Sequence, residues 1–326
     1  MNVPMGRQSE ASLFENSIKS GKLAQAYIIS APEGMGKKTF LKYVLSRVMC
    51  SSHSSCGSCP SCRSLAANAH PDVYEMRRPQ DRASVGIDAV RSMLAQVYAR
   101  PTEADFKAVI VYEAHLLTAE AQNAMLKIIE EPPANVVFFL LCNTTAPILT
   151  TVMSRCVLAE LKPLSRENLR AICPDAGEFE LGYCGGNPGV LKKLLSDGSF
   201  SSLRDELTEK ICAITSDDAY AVYRAAEFLD KNKDSRDEMI NIILFFIRDA
   251  LFKKLGMTDC ILNKDKLQQI EAFSRRCGAK ECCEALYCVL EVIRDRGKNG
   301  NFSIAAINML FKCREVLNGR SYGNTL

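Results

Sequence analysis

The sequence predicts an α/β domain with a parallel sheet covered on both sides, followed by regions built only of helices. In the first half of the chain, short runs rich in Val, Ile, Phe and Tyr alternate with stretches whose apolar residues recur every three or four positions. This alternation is typical of buried strands that are connected by helices. After Pro163 only helix patterns follow. We therefore expect three domains, namely an α/β domain (1–163), a small helical lid domain (164–200) and a helical bundle (201–326).

Each predicted element has its own local signal. The strands are runs of high strand propensity, short enough to be buried: Ala26–Ser30, Val73–Met76, Ala108–Val111, Val136–Cys142 and Cys156–Leu161. The helices between them are Lys38–Val48, Ile87–Val97 and Ala119–Ile129. Further on, Ser165 predicts a helix start and Gly185–Gly189 a break before Val190–Leu195. The bundle helices are Ala219–Leu229, Glu238–Leu255, Asp265–Ser274, Cys282–Asp295 and Ala305–Leu317.

Composition indicates a soluble protein of the cytosol. The formal net charge is +3, too small for a nucleic-acid clamp that relies on a large positive field. The apolar runs are far shorter than the ~20 residues that cross a bilayer, and no apolar signal segment opens the sequence. The 15 cysteines are therefore expected to be mostly reduced thiols.

A phosphate-binding loop is indicated between the first strand and the first predicted helix. The segment Ala31–Thr39 reads APEGMGKKT, and Gly34, Gly36 and Lys37 match the pattern G-x-x-x-x-G-K-[ST]. In such loops the glycines let the backbone fold around phosphate oxygens, and the lysine reaches the β and γ phosphates. A glycine-rich turn without a ligand is the alternative reading.

The residues that should hold Mg²⁺ are missing from this pattern. Ala31 replaces the first glycine, Lys38 replaces the Mg²⁺-binding hydroxyl, and Thr39 stands one residue too late. At the end of the strand Ala108–Val111, Tyr112 occupies the position of the Mg²⁺-positioning Asp, and Glu113 keeps the following acidic position. Glu113 either belongs to the nucleotide site or caps the next helix. Hydrolysis is not expected, whereas binding of ATP or ADP without turnover stays open.

A cluster of cysteines follows the first predicted helix. Cys50, Cys56, Cys59 and Cys62 lie in a hydrophilic insert (50–62) with the spacing C-x₅-C-x₂-C-x₂-C. Four thiolates at this spacing can surround one Zn²⁺ tetrahedrally, which predicts a closed, structural zinc site. His53 is an alternative to Cys50 as the first ligand.

Several segments together resemble one protein family. They are Leu23–Tyr27, His70–Asp72, Ala121–Pro133, Phe138–Thr144 and Ser154–Cys156. This combination resembles the bacterial clamp-loader subunits of the DNA polymerase III holoenzyme, gamma/tau and delta-prime, which are AAA+ proteins. The resemblance covers roughly residues 8–196, and it also places a zinc module at the cysteine cluster.

The resemblance assigns roles to three positions. Arg155 of Ser154–Cys156 would be an arginine finger that enters the ATP site of a neighbouring subunit, the alternative being a surface arginine in a salt bridge. Thr144, with Asn143, would stand at the sensor position beside the nucleotide. Gly189 takes the place of the sensor-2 arginine of gamma-like subunits.

A kept finger with lost hydrolytic residues implies a delta-prime-like, largely non-hydrolysing scaffold. An ATP-hydrolysing motor subunit of the gamma/tau type is the alternative. The implied partners are gamma/tau-like and delta-like subunits, the sliding clamp, and primer-template DNA through the assembled complex. The region 201–326 would then be the oligomerisation collar.

Overall fold

The computed structural model describes residues 1–216, 218–294 and 302–319, and these residues form two compact units. The first unit contains Met1–Pro174 and Gly186–Val190. The second contains Asp175–Gly185 and the described part of Leu191–Leu326. The predicted lid segment 164–200 contributes to both units, so its standing as a separate domain stays a prediction.

The first unit is built on a parallel sheet of five strands. Its strands are β1 (Ala26–Ser30), β2 (Val73–Met76), β3 (Lys107–Val111), β4 (Val136–Cys142) and β5 (Val157–Glu160). Their order in space is β2-β3-β4-β1-β5, and all neighbouring strands are parallel. The carboxyl ends of β1, β3 and β4 therefore meet at one edge of the sheet. The predicted α/β domain with a parallel sheet is confirmed.

Seven helices accompany these strands. They are α1 (Gln8–Lys19), α2 (Lys37–Val48), α3 (Pro60–Ala66), α4 (Ile87–Val97), α5 (Ala119–Glu130), α6 (Thr150–Met153) and α7 (Arg166–Ile172). The Ser165 hydroxyl caps α7 by accepting a hydrogen bond from the Asn168 backbone N–H, as the predicted helix start requires. The sequence reading did not include α1, α3 or α6.

Alternate residues of each strand face opposite sides of the sheet, and each side has its own apolar core. Ile28, Phe138 and Leu140 pack with residues of α4 and α5. Tyr27 and Phe139 point the other way and pack with residues of α1 and α2. This explains why β4 reads as an unbroken apolar run, because a strand covered on both faces has no solvent side.

The second unit contains helices and, within the described residues, no strand. It includes α8 (Glu178–Tyr183), most of α9 (Pro188–Ser196), α10 (Ser199–Ile214), α11 (Ala221–Lys231), α12 (Arg236–Lys254), α13 (Leu267–Arg276), α14 (Ala279–Arg294) and α15 (Phe302–Leu317). The helical character predicted for 201–326 is confirmed where the structure describes it. Residues 217, 295–301 and 320–326 of that predicted domain, including the predicted helix end at Asp295, lie outside the described residues.

A buried polar network joins α10 and α12 to the segment before α13. The Asp249 carboxylate accepts hydrogen bonds from the backbone N–H groups of Leu262 and Asn263. Arg204 donates to Asn263 Oδ1 and to the carboxylate of Asp265.

Among the helices of the described segments, none combines the length and the apolar character that crossing a membrane would require.

Candidate functional site

The phosphate loop connects β1 to α2 and keeps the backbone conformation that its glycines predict. Gly34 has φ of 84° and Gly36 has φ of 88°, both in the left-handed region that glycine adopts without strain. Gly36 is also the N-cap of α2, so the positive end of this helix dipole begins at the loop. The loop therefore retains the shape of an anion-binding turn.

Lys37 is held by acceptors of its own chain. Its Nζ donates to the Ala31 carbonyl at 2.5 Å, to the Pro32 carbonyl at 3.0 Å and to Asn143 Oδ1 at 2.8 Å. Burial lowers the pKa of Lys37 from its usual range. The ammonium that would reach the phosphates is thus directed back onto the loop and onto the end of β4.

Asn143, rather than Thr144, is the polar residue at the end of β4 that reaches the loop. The Asn143 backbone N–H also donates to His115 Nδ1 at 3.3 Å. Thr144 is exposed, and its hydroxyl accepts a hydrogen bond from the Ala146 backbone N–H. The structure therefore places Thr144 in a local turn and gives Asn143 the contact with Lys37.

The segment 186–189 lies directly against the phosphate loop. The Gly189 N–H donates to the Gly34 carbonyl at 3.0 Å, and Asn187 Nδ2 donates to the Glu33 carbonyl at 2.7 Å. A Cβ on Gly189 would lie 2.5 Å from the Gly34 Cα. Only glycine fits this approach of two backbones, so no side chain can extend from position 189.

Arg7 fastens the same loop from another side. The Arg7 side chain is buried, with Nη2 donating to the Met35 carbonyl at 2.8 Å and Nη1 donating to the Lys162 carbonyl at 2.5 Å. Glu10 forms an ion pair with Arg7 at 3.4 Å. The loop is thereby joined to the amino-terminal segment and to the end of β5.

The two positions that should face Mg²⁺ contact each other instead. Lys38 Nζ lies 5.7 Å from the ring centroid of Tyr112. The Tyr112 hydroxyl donates to Glu75 Oε1 at 3.0 Å, and Arg77 lies over the ring at 4.0 Å. Burial and the Glu75 carboxylate raise the pKa of Tyr112 to about 12. A neutral phenol and an ammonium cannot replace the oxygen ligands of Mg²⁺ at this place.

Glu113 and Thr39 stand near this position but do not restore it. Glu113 has φ of 50° and stands at the N-cap position of the 3-10 turn Ala114–Leu116, but its side chain makes no capping hydrogen bond there. Its Oε2 lies 3.4 Å from Arg78 Nε in an ion pair. Thr39 is exposed on α2.

Arg155 follows α6 at the beginning of the edge strand β5. Its Nη2 lies 2.6 Å from Glu130 Oε1, and its Nη1 donates to the Thr151 carbonyl at 2.9 Å. The Arg155 side chain keeps 38% of its surface exposed. The guanidinium is therefore at the surface and paired within the chain, with Glu130 at the end of α5 as its partner.

The four cysteines of the insert come together after α2. Their sulfur atoms all lie within 4.8 Å of one another, a cluster that can hold a metal ion. The Cys50 and Cys56 sulfur atoms are 3.7 Å apart, close to the ~3.8 Å edge of a tetrahedron with Zn–S bonds of ~2.3 Å. His53 is outside this cluster, with Nδ1 3.0 Å from the Arg47 carbonyl.

Hydrogen bonds around the sulfur atoms favour thiolates. The Ser58 hydroxyl and the backbone N–H groups of Ser58 and Cys59 lower the pKa of Cys56 to about 7. Burial opposes ionisation of Cys50, but hydrogen bonds from Ser52 and backbone N–H groups lower its pKa to about 5. Burial raises the pKa of Cys62 to about 12. A bound cation would stabilise the thiolate of Cys62 as well, because metal binding displaces the proton.

Comparisons with known proteins match both halves of the chain. A family model described as DNA polymerase III, delta subunit, matches residues 6–165, and its C-terminal counterpart matches 199–314. The DNA polymerase III subunit delta' of Haemophilus influenzae is 33% identical over 283 residues, 83% of this chain and 84% of the relative. The subunit delta' of Escherichia coli is 31% identical, over 74% of this chain and 73% of the relative. The chain belongs to the delta' family.

Other proteins are less similar to this delta' chain. The tau subunit of Salmonella typhimurium is 28% identical over 73% of the chain, which spans only 37% of that relative. A solved structure of a gamma-subunit-related protein from Thermotoga maritima has 18% identity, a TM-score of 0.48, and coverage of 94% of this chain and 98% of its own. The resemblance to the delta-prime subunits of DNA polymerase III is confirmed by the family models and by the two delta' relatives.

Two residues of the delta' chain have structural roles that sequence reasoning did not assign. The buried Asp72 carboxylate accepts hydrogen bonds from the backbone N–H groups of Thr102, Glu103 and Ala104. Buried Gln122 in α5 accepts from the Leu149 N–H at 2.7 Å and so fastens the turn that leads into α6. Both lie in the family segments His70–Asp72 and Ala121–Pro133, but the partners named here are 27 to 32 residues away and no local pattern indicates them.

Proposed function

We propose that this delta' chain is a largely non-hydrolysing clamp-loader subunit that supplies Arg155 to the ATP site of a neighbouring subunit. One observation carries the proposal: Lys38 and Tyr112 occupy both Mg²⁺ positions and contact each other. A site without protein ligands for Mg²⁺ lacks the cation that neutralises charge during phosphoryl transfer. The chain would then contribute to ATP hydrolysis through Arg155 at the neighbouring subunit's site and not through its own loop.

The position of Arg155 supports this role. The residue follows a short helix at the edge strand β5, and its guanidinium is partly exposed. A guanidinium stays charged and can form two parallel hydrogen bonds to phosphate oxygens, which suits a finger acting in trans. Exposed ion pairs are worth only ~0–1 kcal/mol, so exchange of Glu130 for a phosphate of the neighbour costs little.

The proposed partners follow from the family. They are gamma/tau-like and delta-like subunits, with the sliding clamp and primer-template DNA engaged through the assembled complex. The second unit, with the described helices α10–α15, would form the collar that joins the subunits, and the complex would act in the cytosol. The proposed boundaries stay 1–163, 164–200 and 201–326.

The cysteine cluster is proposed to hold one structural Zn²⁺. Cys50, Cys56, Cys59 and Cys62 would be its four ligands, and sulfur donors at this separation suit this ion. A site closed by four protein ligands leaves no position for a substrate. Its role would be to hold the insert 50–62 against the end of α2.

The test of the finger is made in the assembled clamp loader. Arg155→Ala should leave assembly intact and lower the clamp- and DNA-stimulated ATPase of the complex several-fold, because a finger is worth ~10³-fold or more at its own site while other sites continue to turn over. Arg155→Lys should be nearly as damaging, since an ammonium lacks the planar two-point contact.

Arg91→Ala is the matched control, because Arg91 also forms an exposed ion pair, with Asp88 at 3.7 Å. It should leave the ATPase unchanged. Wild-type ATPase and clamp loading with Arg155→Ala would reduce Arg155 to a surface residue that is merely paired with Glu130.

A gamma/tau-like motor is the second candidate. Gly34 and Gly36 keep the loop conformation, and Lys37 is present, which favours retained nucleotide binding. The motor predicts ATP turnover in the assembled complex that depends on this chain's own Lys37. If Lys37→Ala leaves turnover unchanged while Arg155→Ala lowers it, the scaffold with a finger is supported and the motor is excluded.

A further inference from the structure

A cavity of about 680 Å³ lies beside α2 in the first unit, between this helix, the cysteine insert with α3, and the strands β2 and β3. Its volume falls within the ~300–1,000 Å³ typical of small-molecule sites. It contains neither Lys37 nor the phosphate-loop glycines. The cavity therefore adjoins the degenerate nucleotide loop, since Lys38 and Tyr112 also line it, but it does not include the turn that would hold phosphates.

The floor of the cavity is apolar. Leu41 and Leu45 of α2 and Ile110 of β3 line it and are almost completely buried. Val73 at the start of β2 and Leu65 of α3 also line it. Such a surface favours the hydrocarbon or aromatic part of a ligand, because apolar contact releases water from both.

The mouth of the cavity carries positive charge without an internal counter-ion. Lys38 and Lys42 line it, are exposed, and stand four residues apart on α2, where like charges repel each other. Neither forms an ion pair with any residue that the structure describes. The Glu75 carboxylate, which also lines the cavity, is already engaged by Arg77 at 2.6 Å and by the Tyr112 hydroxyl at 3.0 Å.

His70 also lines the cavity. Its Nδ1 accepts a hydrogen bond from the Asp72 N–H, so in the neutral ring Nε2 carries the proton. This Nε2 is buried and has no hydrogen-bond partner within the described residues. Buried donors without acceptors are uncommon, so His70 is a polar group beside the cavity that the described chain does not satisfy.

We propose that this cavity binds a small anionic molecule with an apolar or aromatic body, whose acidic group pairs with Lys38 and Lys42. The carboxylate or phosphate group would lie at the mouth and the apolar body on the floor of Leu41, Leu45 and Ile110. This site goes beyond the clamp-loading role and does not depend on Arg155 or on nucleotide turnover.

The experiment is a fluorescence titration of the full chain with anilinonaphthalene sulfonate, an anionic aromatic dye, and with phenylnaphthylamine, its uncharged counterpart. The wild-type chain should bind the sulfonate saturably. The double variant Lys38→Ala/Lys42→Ala should bind it roughly fivefold more weakly, since two partly screened ion pairs are lost. Binding of the uncharged dye should not change.

Three further variants make the result decisive. Ala66→Phe, at an exposed position that lines the cavity, should block the sulfonate while both lysines remain. Lys127→Ala removes an exposed charge from α5 and should have no effect. If the lysine pair and Ala66→Phe leave sulfonate binding unchanged, or if Lys37→Ala alone abolishes it, the proposal is overturned.

Competition then identifies the acidic group. A medium-chain fatty carboxylate or an alkyl phosphate should displace the sulfonate dye from the wild-type chain. The compound that displaces the dye at the lower concentration indicates whether the natural ligand carries a carboxylate or a phosphate. Displacement by neither compound would overturn the proposal, because the dye would then be recognised by its rings alone.

Discussion

The two ends of α2 carry sites of opposite kind. At its amino end the phosphate loop keeps its shape, but its cation is bonded to Ala31, Pro32 and Asn143. At its carboxyl end four sulfur atoms converge, and hydrogen bonds lower the pKa of two of them, Cys50 and Cys56. The Lys37 ammonium thus has partners within the chain, whereas the four sulfur atoms are placed where one metal ion could join them. Lys38 and Lys42 form no ion pair within the described residues, although Lys38 lies over the Tyr112 ring.

The largest effect is expected at the cysteine cluster. Cys62→Ala should reduce bound zinc from about one equivalent to none in metal analysis, because a structural site needs its four ligands. Hydrogen exchange should rise in the insert 50–62, while β1 and β4 stay protected by their two cores. Cys260→Ala, at an exposed cysteine outside the cluster, should keep the metal. Full zinc in Cys62→Ala would refute the assignment.

The second prediction concerns how much the hydrogen bonds to the buried Asp72 carboxylate contribute to stability. Asp72→Asn should lower the free energy of unfolding by about 2–3 kcal/mol at neutral pH, because an amide cannot accept all the backbone N–H bonds of residues 102–104. Asp88→Asn, at a side chain that is 82% exposed, should change stability little. Denaturant titrations of both variants and the wild type measure the difference.

The Asp72 effect should also depend on pH. Backbone hydrogen bonds outweigh burial and hold the pKa of Asp72 below its usual value. A carboxyl group with a lowered folded pKa stabilises the protein above its unfolded pKa of ~3.9, and the contribution is lost as pH falls through the folded pKa. The gap between wild type and Asp72→Asn should therefore stay constant from pH ~5 to ~8 and shrink below ~4. A gap that grows with acid would contradict this.

The next prediction concerns the close backbone contact between Gly189 and Gly34 of the phosphate loop. Gly189→Ala should destabilise the chain by about 1–3 kcal/mol, because its Cβ would meet the backbone of Gly34. Gly86→Ala is the control, since a Cβ there meets nothing within 4 Å. Thermal or denaturant unfolding of the two variants compares them. Equal stability of the two variants would mean that the backbones of Gly189 and Gly34 can move apart enough to admit a Cβ without cost.

The smallest effect is expected from rebuilding the Mg²⁺ positions. Lys38→Thr with Tyr112→Asp should tighten Mg²⁺-dependent binding of a fluorescent ATP analogue by about tenfold at most, equal to ~1.4 kcal/mol. Hydrolysis should not return, because Gly189 leaves no room for a sensor-2 arginine. Lys42→Thr serves as the control for removing one lysine from α2. ATP hydrolysis by the double variant would contradict this prediction and show that the Mg²⁺ positions alone prevent hydrolysis in this chain.

The fold was more predictable from the sequence than the site. Strands buried on both faces leave unbroken apolar runs, so β1, β3 and β4 were predicted within one residue of their bounds. The short α3 and α6 have no periodic pattern long enough to indicate a helix. The contact of Gly189 with Gly34 joins residues far apart in the chain, and no local signal predicts it. Likewise, the choice between Asn143 and Thr144 depends on which side of the strand end faces Lys37.

The place of β1 in the sheet has a consequence for how the chain is made. This strand lies between β4 and β5, yet about a hundred residues separate it from the first of these neighbours. At a synthesis rate of ~5–20 residues per second, β1 waits roughly 5–20 s on the ribosome before its first pairing strand exists. During that time α1 and α2 can cover Tyr27 and Ile29, but the opposite face with Ile28 lacks the partners that α5 and β4 supply later. The nascent chain is therefore most open to chaperones, and to aggregation, until β4 emerges.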